Sequence, residues 1–231
     1  MTDSSDGSGA GDSGRRRPVR SYVLREGRFT PAQKRALHEL WPAYGLEVED
    51  GLISPEEVFG RRAPLVMEIG FGMGDSLLSM LQLQPDADFI GVEVHSPGVG
   101  HLLNRVAKKS ARNLRIYRAD ATDVLQSCLP PSCLDKVQIF FPDPWPKKRH
   151  HKRRLIDAAF VALLAAKLKP AGRLHLATDL PQYAESMVAV IGTSGQFSVL
   201  PDEGISRPKT KYEQRAETVG DQVFDFCFTK N

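Results

Sequence analysis

The chain has 231 residues, 41% of them apolar and 26% charged, with a formal net charge of +3. That length suits one sizeable core with extensions, and the absence of any long apolar run argues against membrane insertion and secretion and for the cytoplasm. So small a net charge identifies no partner, while Cys128, Cys133 and Cys227, odd in number and without a CxxC pair, argue against a disulfide framework or a cysteine-rich zinc site.

Residues 1 to 18 are rich in Gly, Ser and Asp and end in Arg15-Arg16-Arg17-Pro18. Such a composition buries too little apolar surface to offset ordering, so a disordered tail is expected. An N-terminal extension, 19–63, follows. In it Thr30 and Pro31 suit the N-cap and first position of a short helix that places Ala36, Leu37 and Leu40 on one face. From residue 64 to 231, short apolar runs alternate with amphipathic stretches. Candidate strands are Leu65 to Ile69, Phe89 to Val94, Leu114 to Tyr117, Lys136 to Phe141, Arg173 to Ala177 and Val223 to Phe228. Ser76 to Leu83, Val99 to Lys108 and Leu155 to Leu168 carry helical spacing, with Ile156, Phe160, Leu163 and Leu164 the clearest set. This alternation predicts an α/β domain whose parallel sheet has helices on both faces.

Between the first strand and first helix stands Glu68-Ile69-Gly70-Phe71-Gly72-Met73-Gly74. The glycines permit a tight turn and close approach of a ligand to the backbone, but a dinucleotide fingerprint needs its third glycine one place later, where Asp75 stands. Glu68 adds a carboxylate where a pyrophosphate would sit, which disfavours NAD and suits a cationic ligand such as S-adenosylmethionine. Glu93, ending the second strand, suits the hydroxyls of a ribose in either cofactor. Asp120 follows the third strand, placed to accept from an adenine amino group, and Asp143 follows the fourth. Each alone reads equally as a loop carboxylate or helix cap. Together they mark the carboxyl rim where open α/β sheets bind ligands.

Pro142-Asp143-Pro144 is a stiff turn that aims the Asp143 carboxylate. With Trp145 beside it and a polycation behind, the segment is laid out to hold a flat nucleobase next to phosphates. It resembles the Asp/Asn-Pro-Pro-aromatic turn of amino-group DNA methyltransferases without being that motif. Six of the eight residues Lys147 to Arg154 are Lys or Arg, and His150 and His151 are the others. Such a run reads as a solvated face, a localisation signal, or a ramp that neutralises phosphates. Adjacent histidines without a third ligand give no metal site.

Five blocks in order resemble the bacterial tRNA (guanine-N7)-methyltransferase family, and the similarity runs from about Arg20 to the C-terminus. They are 68–74, Gly91 to Gly98, Phe140 to Trp145, Ala177-Thr178-Asp179 and Arg207 to Glu213. The resemblance implies a class I methyltransferase (Rossmann-like) fold with a seven-stranded sheet, one strand antiparallel. It implies S-adenosylmethionine contacts at Glu68, Glu93, Asp120 and Asp143 around the Gly70, Gly72 and Gly74 turn. It also implies substrate contacts at Lys147, Asp179, Thr210, Lys211, Tyr212 and Glu213, and RNA contacts at Arg149, His150, His151, Lys152, Arg153 and Arg154. The implied substrate is N7 of guanine-46 in the variable loop of tRNA; Asp143 is the candidate catalytic carboxylate, with Asp179 open as the group that stabilises the developing charge, and the residues suggest no metal and no obligatory protein partner. The competing readings are a methyltransferase of another nucleobase and a non-catalytic RNA-binding protein that retains a relic cofactor fold.

Overall fold

The computed structural model describes residues 21–22, 29–201 and 207–231, so the expected disordered tail lies outside the described residues. In chain order the elements are α1 Pro31–Glu39, α2 Trp41–Tyr44, β1 Gly45–Leu46, α3 Pro55–Phe59, β2 Leu65–Ile69, α4 Asp75–Leu83, β3 Asp88–Val92, α5 Ser96–Lys108, β4 Leu114–Tyr117 and α6 Ala121–Ser127. After them come β5 Leu134–Phe140, α7 Ala158–Lys167, β6 Leu168–Thr178, α8 Pro181–Thr193, β7 Phe197–Val199, α9 Lys211–Val219 and β8 Phe224–Lys230.

All these strands join one sheet in the order β1-β4-β3-β2-β5-β6-β8-β7. The pairs from β1 to β6 are parallel, and β8 runs antiparallel to both β6 and β7. Among the described residues eight strands rather than seven are present, because the two-residue β1 pairs with β4 at the edge. Neither β1 nor the three-residue β7 is long enough to show a period of two. The candidate helix from Leu155 is also shortened. Asp157 accepts from the Phe160 N–H and caps α7, which leaves Ile156 buried ahead of the helix.

The chain leaves β2 toward β3 and β4 on one side, then crosses back to place β5 on the other. This reversal opens a crevice beyond the carboxyl ends of β2 and β5. Apolar side chains close both faces of the sheet, and all five residues of β2 are buried, as parallel strands covered on both sides require. Met67, Ile69, Val137 and Leu174 face α6, α7 and α8; Val66, Phe89 and Ile116 face α4 and α5. On the second face α1 docks on α5. Thr30 and Gln33 form a capping box, and Gln33 Nε2 donates to Pro97 O at 3.0 Å. Leu102 in α5 is fully buried, and its truncation to Ala would cost about 2–5 kcal/mol.

Candidate active site

The turn after β2 is built by glycine. Gly70, Gly72 and Gly74 have φ of 76°, 56° and 75°, a left-handed region that costs other residues stability. At Gly74 space also matters, since a Cβ would stand 2.8 Å from Leu102 Cδ1. Gly98 in the first turn of α5 is needed for a different reason. A Cβ there would fall 2.1 Å from the Gly72 carbonyl oxygen, so α5 starts flush against the turn.

Glu93 locks this arrangement. Its Oε2 accepts from Gly72 N at 2.7 Å, while Oε1 accepts from Val94 N at 2.8 Å and His95 N at 2.9 Å. Burial raises its pKa, and these backbone N–H groups oppose the rise. Asp120 caps α6 by accepting from Thr122 N at 2.8 Å. Glu68 sits lower in β2, 3% exposed, and accepts from Gln138 Nε2 at 2.6 Å. Burial pushes its carboxyl up to about 7 against the pull of Gln138, Lys136 and Arg207.

A cleft of about 360 Å³ opens at the switch point. Gly70, Gly72, Glu93, Asp120, Asp143 and Tyr212 contribute to its wall, whereas Glu68, Gly74, Asp179 and Lys147 do not. Asp179 is exposed just past β6, and Lys147 is exposed ahead of the short 3-10 turn Lys148–Arg153. Among the described residues the lining holds carboxylates from three strand ends and neither Lys nor Arg. That donor set fits a cationic ligand bearing a ribose and rejects a pyrophosphate. A Cβ on Gly70 or Gly72 would meet nothing within 4 Å, so the turn presents bare backbone to the cavity.

The 141–146 segment departs from the sequence reading in one respect. Trp145, with φ of 43°, is absent from the cleft wall. Its indole N–H donates to Ser21 O at 2.8 Å, His150 meets its ring edge-on, and the Arg153 guanidinium lies 4.9 Å from its centroid. The cleft wall beside Asp143 includes Phe141, with Phe140 and Tyr22, and Phe141 is stacked on Tyr212 with centroids 6.1 Å apart. Of the basic run, Arg149, His151 and Lys152 are exposed and His150 and Arg153 are half-buried. Arg154 is buried: its Nε donates to Pro144 O at 3.1 Å, and its guanidinium lies 4.6 Å from the Tyr183 ring centroid. It holds the proline turn to α8.

The 210–213 block is occupied locally. Thr210 Oγ1 accepts from Glu213 N at 3.1 Å, and the Glu213 carboxylate reaches back to Thr210 N, forming a capping box for α9. Glu213 also pairs with Arg207 at 2.5 Å, Arg207 pairs with Asp225 of β8 at 2.6 Å, and Asp225 meets His175 of β6 at 2.5 Å. Burial pushes the Asp225 carboxyl up, but His175 and Arg207 outweigh it and hold it below the ordinary value. Burial lowers the His175 pKa against the opposing pull of Asp225. Sequence reasoning missed Phe141, Asp75 and the Arg207–Asp225–His175 chain. Arg207 stands within one of the five family blocks, but its partners are distant in sequence and gave no local signal.

Sheet order, the switch-point cleft and its three strand-end carboxylates define a class I methyltransferase fold. The 16S rRNA methyltransferase KamB matches with a TM-score of 0.53 at 15% identity, over 76% of this chain and 92% of that one. The aminoglycoside-resistance methyltransferase NpmB1 matches at 0.51 and 17% identity, over 76% and 91%; at such identities the likeness concerns the fold alone. A family model described as "Putative methyltransferase" covers residues 62–226. A tRNA (guanine-N(7)-)-methyltransferase of Nitrosococcus oceani is 50% identical over 96% of this chain and 94% of its own length. Its namesake in Marinobacter nauticus is 49% identical over 99% and 98%. The chain belongs to the tRNA (guanine-N(7)-)-methyltransferase family.

Proposed function

We propose that this enzyme transfers a methyl group from S-adenosylmethionine to N7 of guanine-46 in the variable loop of tRNA. The observation that carries the reading is the single cleft shared by Glu93, Asp120 and Asp143, with neither Lys nor Arg among the described residues of its wall. When bound, the sulfonium cofactor supplies an electrophilic methyl group. Glu93 would receive the ribose hydroxyls and Asp120 the adenine amino group, and the glycine turn would let the cofactor approach backbone. Glu68 stands behind the turn, outside the cleft wall, where Gln138 holds it.

Guanine N7 carries an in-plane lone pair, so no base is needed to deprotonate the nucleophile and the task is alignment. Holding N7 in line with the methyl group makes the displacement effectively unimolecular. Asp143, at the cleft wall, stabilises the positive charge that grows on the purine as the bond forms. Acceptance from guanine N1–H and its exocyclic amine, by Asp143 or by Asp179 from the rim, rejects adenine. A base engaged in tRNA tertiary pairing is first extracted. Lys147 and the Thr210 to Glu213 block frame the substrate, while Arg149, His150, His151, Lys152 and Arg153 meet RNA phosphates. A cytoplasmic location follows from the substrate.

Mass spectrometry of tRNA nucleosides after incubation with the protein and S-adenosylmethionine tests this reading. N7-methylguanosine at position 46 is the expected product. A methylated adenosine would transfer the activity to another base, and no methylation with normal tRNA binding would leave an RNA-binding protein.

A further inference from the structure

We propose that Phe141 is the residue on which the target guanine stacks, with Tyr212 as the opposing face of the slot; this rests on the reading of the chain as a guanine methyltransferase of tRNA. Phe141 has φ of 52°, a conformation that is costly for a bulky side chain and persists where the surrounding structure enforces it. Its N–H donates to Ala177 O at 2.8 Å, which pins the strained residue where β5 and β6 end. Among the described residues Phe141 belongs to neither apolar cluster of the sheet. Its neighbour Phe140 is 7% exposed, with the Arg207 guanidinium 4.7 Å from its ring centroid. Phe141 instead turns its ring to the cleft that Asp143 also lines.

Tyr212 is its partner and is 61% exposed. The rings are 20° from parallel with centroids 6.1 Å apart, toward the wide end of the roughly 4.5–7 Å range of aromatic stacking. Parted to about 7 Å, twice the roughly 3.4 Å stacking distance of bases, these two nearly parallel faces beside a carboxylate would offer an extruded purine π surface against its face and an acceptor at its edge. Trp145, the residue its sequence position recommends for this role, is engaged by Ser21, His150 and Arg153 outside the cleft. Tyr212 reaches the cleft from the first turn of α9, whose N-terminus the capping box fixes. Rotation of the exposed Tyr212 side chain away from Phe141 would admit the base.

Steady-state methylation of tRNA by full-length Phe141→Leu, Phe141→Trp and Phe141→Gly, with calorimetry of cofactor binding, tests the role. The Leu variant is expected to lose roughly 5- to 150-fold in kcat/KM for tRNA, the range that removal of one base-aromatic stack produces, with cofactor affinity unchanged. Trp at the same place should restore most of the activity, because it keeps the π surface. The Gly variant separates stacking from strain: it should melt no lower than the wild type, since glycine accepts a positive φ, yet be as impaired as Leu. A Leu variant with undiminished kcat/KM would overturn the stacking role alone. Loss of cofactor affinity in proportion to activity would move Phe141 into the cofactor pocket and also overturn it. A wild-type protein that forms no N7-methylguanosine would overturn the functional reading and this proposal together.

Discussion

The Lys211 ammonium lies 2.8 Å from Asp75 Oδ2, tying the first residue of α9 to the first residue of α4 behind the glycine turn. Asp75 also pairs with Arg105 of α5, so the anchor is fixed. Helix α9 buries only Ala216, which makes ionic contacts the main hold on its N-terminal end. An exposed pair contributes at most about 1 kcal/mol. Lys211→Met is therefore expected to lower Tm by no more than about 4 °C, while amide hydrogen exchange in α9 accelerates. Unchanged exchange there would mean that the pair does not restrain the helix.

Arg207 behaves differently, because its side chain is 3% exposed and serves both Glu213 and Asp225. Arg207→Met leaves two partly exposed carboxylates without their buried cation and should cost less than the roughly 3–5 kcal/mol of breaking a fully buried pair in denaturant unfolding. Combining it with Asp225→Asn should recover part of that loss. A double variant destabilised by the full sum of the singles would show that the two side chains do not act as a pair.

Glu68 should give the protein a pH-dependent stability. Burial raises its pKa from the ordinary 4.5 to about 7, so between those values the folded state holds a proton that the unfolded chain has released. Its contribution is complete below about 4.5, falls as pH rises to about 7, and is flat above; the change is on the order of 3 kcal/mol. Glu68→Gln should flatten this slope and be the more stable protein at pH 8. Urea titrations of both proteins across pH 4.5 to 8 would expose an error as parallel curves.

Asp143 is exposed and lies at the cleft wall. Asp143→Asn is expected to reduce kcat by on the order of 10²- to 10³-fold and leave Tm in place. Glu93 has a double duty, since it holds three backbone N–H groups. Glu93→Ala should weaken cofactor binding and also cost about 1–3 kcal/mol of stability, the penalty for orphaned buried donors. Intact cofactor affinity in calorimetry would remove the ribose from Glu93.

The basic run divides into two kinds of residue. Neutralising the exposed Arg149 and Lys152 together should weaken tRNA binding and reduce the slope of log affinity against log salt by about 0.7 to 0.9 for each RNA phosphate left without its cation. Arg154→Ala should instead lower stability, because it removes the Pro144 hydrogen bond and the packing against Tyr183. An unchanged salt slope in the Arg149 and Lys152 double variant would place the RNA elsewhere on the surface.

Several features of this protein were fixed by the local sequence. Leu65 to Ile69 and Leu114 to Tyr117 are the bounds of β2 and β4 to the residue, because a short apolar run ended by Gly or a polar turn has few other ways to bury itself. The glycine turn and Thr30 with Pro31 at the start of α1 are equally local, since backbone conformation and capping depend on immediate neighbours. Tertiary structure decided what each side chain does. It buried Glu68 against Gln138, drew Trp145 to Ser21, put Phe141 into the cleft and engaged Glu213 with Arg207. It also gave β7 a place at the sheet edge, which three residues could not announce by periodicity. Residue type and spacing set which chemistries are present on the carboxyl rim. Which of them face the same cavity depends on strand order and on contacts between residues as far apart as Ser21 and Trp145, and no short window of sequence contains those.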